Sequence, residues 1–270
     1  MTNTLVVGYG GYGITCASAY AKECSLPVLL LDSRAFLAEE FGIYQDCIEL
    51  VTDDVLNEGR ICNVFSNYRN ILFILPLGGD SFTHVHSLIS RCATAVDASL
   101  ITLCTIPYSF ESERRSRAMS TLDSLPQEVD NLFILDLQRT ITEKGLVENL
   151  DVFLRLTEEF VVRTIGVLAQ LLERYPFFSY CTDRAYTLAI GSGLDYPAMV
   201  ADALEHPYFE IRGRVGKILL CSDAHPTSFE LDSAIRYLSA RSSSLPEVMG
   251  TSGMGEDKVL LLIPISFQCE

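Results

Sequence analysis

Residues 71–138 read ILFILPLGGDSFTHVHSLISRCATAVDASLITLCTIPYSFESERRSRAMSTLDSLPQEVDNLFILDLQ. The stretch opens on an unbroken apolar run, Ile71 to Leu77, turns through Gly78 and Gly79, and passes into a helical segment from Thr83 to Ala95. A second apolar run follows, Leu100 to Ile106. A helix from Glu111 to Leu125, entered through a capping-type Ser109, leads to a third run, Leu132 to Leu137. Continuous apolar strands alternating with helices specify a parallel sheet covered on both faces, with right-handed crossovers. The fold class is therefore α/β.

The pattern extends towards the N-terminus. Residues 4–23 read TLVVGYGGYGITCASAYAKE, a strand (Leu5 to Gly8), a glycine-rich turn and a helix (Ile14 to Lys22). Val28 to Leu31 is a further strand that ends at Asp32, and a short acidic, irregular region follows around Val51 to Asn57. Glycines between a strand and a helix let the backbone turn sharply and approach a phosphate at the helix N-terminus. Gly8-x-Gly10-x-x-Gly13 fits the dinucleotide fingerprint, and Asp32 stands about 20 residues on, where an acid takes a ribose hydroxyl. Taken alone, these features point to a Rossmann-type NAD-dependent oxidoreductase.

Downstream, a long helix runs from about Val147 to Arg174. Leu154, Val161, Ile165, Leu168 and Leu172 form one apolar stripe, and Leu150, Phe153, Phe160, Val167 and Leu171 form another. A helix apolar on two sides is buried between two bodies. The last part, from Tyr186, holds fewer elements. Leu188–Gly193, Val215–Ser222 and Val259–Phe267 are strands, and Pro197–Glu205 and Ser228–Ala240 are helices. The expected organisation is an N-terminal domain over 1–146, a linking helix over 147–174 and a smaller C-terminal α/β domain over 175–270.

Composition narrows the function classes. The net charge of −15 repels nucleic-acid backbones and anionic membranes, and Arg114, Arg115 and Arg117 are the only basic cluster. No apolar run reaches the roughly 18 residues needed to cross a bilayer, and no signal peptide is read. The expectation is a cytoplasmic protein with neither nucleic-acid nor direct membrane binding. Nine cysteines occur singly with no CxxC pair, which favours reduced, mostly buried thiols. His84-x-His86 lacks an evident third ligand, so the expectation there is one partly buried and one surface histidine, with no metal. Ser192 in GSG lacks the context of a nucleophile elbow.

The segment from Ile71 onward resembles the core of FtsZ, the bacterial relative of tubulin. In that family a strand leads into a glycine loop, GGGTGTG. A helix and strand follow, then Pro-Phe-x-Phe-Glu-x-x-x-Arg, then a helix ending in Val-Asp. IPYSFESERR and PQEVDNLFIL occupy those places. EFVVRTIGVLAQLL resembles the family's central helix. GSGLDYPAMVADALEHPYFE, GRVGKILLCSDAHPTSFELDSAIRYL and VMGTSGMGEDKVLLLIPISF resemble its C-terminal domain in order. The resemblance implies a FtsZ/tubulin-like fold, a GTP or GDP site, and self-association into filaments or binding to an FtsZ-like partner.

It also implies site residues. Gly8, Gly10, Gly11 and Gly13 match glycines of the turn that cradles phosphates, Tyr12 replaces one, and Thr15 stands where the family has an Asn that contacts the base. The second loop falls on Gly78, Gly79, Asp80, Ser81, Phe82, Thr83 and His84. Glu111 and Arg115 match residues at the ribose and phosphate end. Leu137 and Gln138 replace an Asn-Asp pair. Glu158, or Glu159, stands in for the Asp that reads guanine. Asp80 places a carboxylate where phosphates belong, at a cost of roughly several kcal/mol if poorly solvated. A helix N-terminus offsets only about 0.3–1 kcal/mol of that. The family's hydrolytic loop carries several acids, whereas RYPFFSYCTDRAYTLAIGSG keeps only Asp183. The expectation is that a counterpart of the family's tether-binding tail is lacking. These departures lead to an expectation of a cytoskeletal or division-associated protein with weakened GTP binding and lost hydrolysis. An active filament-forming GTPase is the alternative, with Asp183 as its residual catalytic acid.

Overall fold

The computed structural model describes residues 3–23, 27–32, 48–52, 57–79, 82–128, 131–142, 149–174, 185–211, 215–250 and 258–265. Its strands are β1 (Thr4–Tyr9), β2 (Val28–Asp32), β3 (Ile48–Thr52), β4 (Asn70–Pro76), β5 (Ser99–Ile106) and β6 (Leu132–Asp136), then β7 (Ala185–Ser192), β8 (Leu219–Ser222), β9 (Glu247–Gly250) and β10 (Lys258–Pro264). Its helices are α1 (Gly10–Glu23), α2 (Glu58–Phe65), α3 (Phe82–Ala95), α4 (Ser112–Glu128), α5 (Arg139–Thr142), α6 (Leu150–Arg174), α7 (Tyr196–Glu205) and α8 (Ser228–Ser239).

All ten strands form one sheet, in the order β3-β2-β1-β4-β5-β6-β7-β10-β8-β9. The first seven run parallel, as continuous apolar strands demand. β10 then pairs antiparallel with β7 along its whole length, from Lys258↔Ser192 to Pro264↔Tyr186, and antiparallel with β8. The order β3-β2-β1-β4-β5-β6 is also that of a dinucleotide-binding sheet. The glycine fingerprint could not separate the two folds for that reason; the antiparallel extension and the long helix α6 do.

Local rules shift several boundaries. α1 starts at Gly10, inside the glycine stretch and four residues before Ile14. α4 starts at Ser112, and the Arg115 N–H bonds to the Glu111 carbonyl oxygen, so the helix is entered at Glu111 rather than Ser109. The region read as irregular holds β3 and the start of α2, where the Asn57 side chain accepts from the Arg60 N–H as an N-cap. Val215 makes only an isolated bridge to Ser242, and β8 begins at Leu219. β9 is a short edge strand whose four residues carry no strong periodicity.

Two apolar layers flank the sheet. One joins α1 and α6 to the strand faces that carry Val6, Leu72, Leu103, Phe133, Tyr186 and Leu260. The other joins α2, α3 and α4 to the faces that carry Leu5, Phe73, Cys104 and Ile134. The C-terminal elements have a third cluster of their own, around Val200, Ala234, Leu238 and Leu261. α6 is buried on both expected stripes from Val161 onward, but Leu150 and Leu154 are exposed. The end of α6 is tied down: Glu173 Oε1 accepts from the Asn3 N–H at 2.7 Å, and the Leu172 carbonyl accepts from Asn70 Nδ2 at 3.3 Å. Asn3 and Asn70 stand at the starts of β1 and β4, so α6 runs against the strand direction. Its first half therefore lies at the edge where β1 and β4 end in their glycine turns. No helix among the described residues is long and apolar enough to cross a membrane.

Candidate functional site

The two glycine turns sit side by side because β1 and β4 pair in register, Gly8 opposite Ile74. Their glycines have different reasons to be there. A Cβ on Gly8 would strike the Gly13 carbonyl and Ala17, and one on Gly13 would lie 2.9 Å from the Ile74 carbonyl oxygen. Both serve the close packing of α1 on the sheet. Gly10 has φ of +67° and makes the turn itself. Gly78 has φ of +84°, and a Cβ there would run into the backbone of Arg114 at the start of α4. Only Gly11 and Gly79 have ordinary φ and open space around the Cβ position. Those two leave backbone accessible to a ligand.

Tyr12 lies in the first turn of α1, and its side chain turns inward. Its hydroxyl is buried and has no hydrogen-bond partner among the described residues, and the same is true of the Tyr108 hydroxyl. Burial, then the neighbouring Cys16 and Tyr108, push the Tyr12 phenol well above its ordinary range, so it stays neutral. The Tyr108 ring stacks on Phe110 at 5.0 Å between centroids and packs against Phe153 of α6 at 5.1 Å. Glu158 approaches the same cluster from α6, and burial, followed by Glu159, raises its carboxyl against the opposing pull of Lys22. Glu159 itself pairs with Arg155 on the exposed side. Of the two glutamates, Glu158 is the one that faces the first loop. The Thr15 hydroxyl donates to the Gly11 carbonyl at 2.9 Å.

Arg115 lies on α4, one strand away. Its Nη1 donates to the Pro107 carbonyl at 2.6 Å and to Asp136 Oδ1 at 2.8 Å, and its Nη2 donates to Asp136 Oδ2 at 2.6 Å. The fork of the guanidinium is thus matched to one carboxylate. Asp136 is buried at the end of β6 and also accepts from the Gln138 N–H at 3.0 Å, while Gln138 Oε1 accepts from the Ser109 N–H at 3.0 Å. Glu111 pairs with Arg114. The loop after β5 and the loop after β6 are knitted together by these contacts. Asp136 and Tyr108 went unnoticed in the sequence. The trace they leave there is an acid closing the apolar run LFILD and a Tyr directly after Pro107.

Ser81, Asp80 and Asp183 lie outside the described residues, as do the side chains of Asp32, Phe82 and Thr83. Thr83 stands in the first turn of α3. His84 is exposed, whereas His86 is buried, within 3.3 Å of the Thr102 hydroxyl and tilted against Phe73. Two residues apart on a helix, they face different sides. No cluster of three metal-ligating side chains occurs among the described residues.

No protein-family profile and no curated protein matches the chain. Solved structures do. A point mutant of FtsZ from M. jannaschii superposes with a TM-score of 0.76 at 16% identity, covering 97% of this chain and 90% of that one. An empty FtsZ dimer from M. jannaschii gives 0.75 at 15% identity, with 99% and 91% covered. CetZ from Methanosaeta thermophila gives 0.72 at 14%, with 98% and 87% covered. With the parallel sheet, the antiparallel C-terminal extension and the central helix α6 matched over nearly its full length, this chain has the FtsZ/tubulin-like fold.

Proposed function

We propose that the protein works through self-association, as an FtsZ-like cytoskeletal or cell-division-associated element that assembles with its own copies or binds a related protein. In this reading guanine-nucleotide binding is weakened and hydrolysis is lost. Residues 1–146 and 175–270 act as two units joined by 147–174, and the protein is cytoplasmic. The observation that carries the reading is the Arg115–Asp136 fork. The side chain expected at the phosphate end of a nucleotide already has its donors on a buried carboxylate and a carbonyl. To reach a phosphate it would leave Asp136 charged, buried and unpaired, which is costly. Glu111 is likewise taken by Arg114, and the Tyr12 ring occupies the inner side of the first loop. One similar structure is a dimer of FtsZ. Phe110, Leu150 and Leu154 expose apolar surface on a chain whose net charge is −15.

Calorimetric titration with GTP, GDP and NAD, beside sedimentation over a concentration series, tests the reading. Oligomers that grow with protein concentration and need no nucleotide are expected. Micromolar GTP binding together with GTP-dependent polymer would overturn it. That outcome belongs to a second reading, an active GTP-binding filament, which the open backbone at Gly11 and Gly79 favours.

A further inference from the structure

The fold brings together two of the cysteines that the sequence scatters singly. α2 packs on α3, and Cys62 of α2 is in side-chain contact with Cys92 of α3. Neighbours one turn away hold the approach. Cys92 Sγ donates to the Glu58 carbonyl oxygen at 3.6 Å. Glu58 precedes Cys62 by four residues and shares its helix face. Side chains lean towards the N-terminus of their helix, which carries the Cys62 sulfur back over the same spot. Arg91 grips the Glu58 carboxylate through Nε at 3.4 Å and Nη2 at 3.0 Å, and its Nη1 reaches the Ser87 hydroxyl at 3.2 Å. The helix pair is stapled in register where the thiols meet.

The two thiols are not equivalent. Cys62 is half-buried, whereas Cys92 is fully buried, as are Cys16, Cys104 and Cys221. Burial, then contact with Cys62, pushes the Cys92 thiol up to about 12, against the opposing pull of Arg91. A solvent oxidant therefore meets Cys62 first, and Cys92 waits behind it as the resolving partner.

We propose that Cys62 and Cys92 are a dithiol site that closes to an intramolecular disulfide by exchange with a small-molecule disulfide. The Cys62 thiolate attacks one sulfur of RSSR, forms a mixed disulfide and releases RS⁻. Cys92 then gives up its proton, and its sulfur displaces the second RS⁻ from Cys62. Two protein thiols lose two electrons, and RSSR is reduced to two RSH. The cross-link joins α2 to α3 and places β4 and the Gly78–Gly79 turn inside one covalent ring.

The test treats the full-length chain with oxidised glutathione, blocks the remaining thiols and maps the peptides. A Cys62–Cys92 linked peptide is expected, in a chain about 2 Da lighter than its reduced form. The thermal midpoint should rise by roughly several degrees, because a closed loop constrains the unfolded chain. Cys92→Ala should leave glutathione stably on Cys62, and Cys62→Ser should leave Cys92 unmodified. Glutathione persisting on Cys62 of the wild type, a disulfide between two chains, or no reaction at Cys62 would each overturn the proposal. If Cys92→Ala does not fold, the wild-type peptide map decides alone.

Discussion

The two glycine turns look alike in sequence, but the protein uses them differently. In the first, Gly8 and Gly13 exist so that α1 can lie directly on the sheet, and Gly11 alone faces open space with an ordinary backbone. In the second, Gly78 exists so that the turn can pass the backbone of α4, and Gly79 alone is open. Each turn therefore keeps one glycine whose side-chain-free backbone serves no packing purpose. The difference lies in what stands behind them. Behind the first is an aromatic cluster of Tyr12, Tyr108 and Phe153, whose two buried hydroxyls find no hydrogen-bond partner among the described residues. Behind the second is a polar clamp, Arg115 to Asp136, with its hydrogen bonds made. A glycine-rich motif thus records close backbone approach in general, and ligand contact is only one cause of that.

The sharpest way to break the comparison is within the second turn. Gly78→Ala combines a left-handed φ with a backbone collision and should cost on the order of 3 kcal/mol or more. Gly79→Ala and Gly11→Ala should change stability by less than roughly 0.5 kcal/mol. Urea unfolding of the three variants reads this directly. Equal losses at Gly78 and Gly79 would mean that packing does not divide the turn as described. If nucleotide is bound after all, the two silent substitutions should be the ones that weaken it.

The next effect concerns the helix that follows the second turn. His86 of α3 is buried, and burial lowers its pKa to about 4. The unfolded chain binds a proton near pH 6.5 while the folded chain does not. The contribution of neutral His86 is therefore complete above about 6.5 and is lost as pH falls from there towards 4, by about 3 kcal/mol in all. Unfolding free energies measured between pH 7 and pH 4 should show this fall, and His86→Leu should flatten it. An unchanged slope in that variant would place the pH dependence elsewhere.

A smaller effect tests the clamp. Asp136→Asn keeps the shape but removes the charge that Arg115 grips, and should cost about 2 kcal/mol. It also frees the guanidinium. If the clamp is what withholds Arg115 from phosphate, GTP affinity rises in this variant relative to the wild type. If affinity does not move, the closed aromatic side of the first turn is the stronger obstacle, and Tyr12→Gly is the variant in which affinity should rise instead.

Much of the fold was legible in the chain. The runs around Val6, Leu30, Phe73, Leu103 and Ile134 are apolar without interruption, and short runs of that kind between turn residues and helices fit strands buried on both faces. The long helix announced itself by its two stripes. β3, α2 and β9 were harder to read because short elements carry too few residues to establish a period. Of the candidate site, the positions of Gly10, Gly11, Gly78 and Gly79 were readable. Their division into packing and open glycines was not, because it depends on which backbone lies opposite each one.

The sequence by itself determined the alternation of strands and helices, the buried character of the sheet and the acidic surface, because each of these follows from local pattern and composition. Only the tertiary structure decided three further things. It gave Arg115 to Asp136, turned Tyr12 inward beside Tyr108, and set Cys62 against Cys92. Each joins residues that lie 21 or more positions apart or on different elements, and no periodicity in a chain records which faces of two elements meet. That information resides in the packing of α1, α2, α3, α4 and α6 on a common sheet, where shape and burial choose the partners.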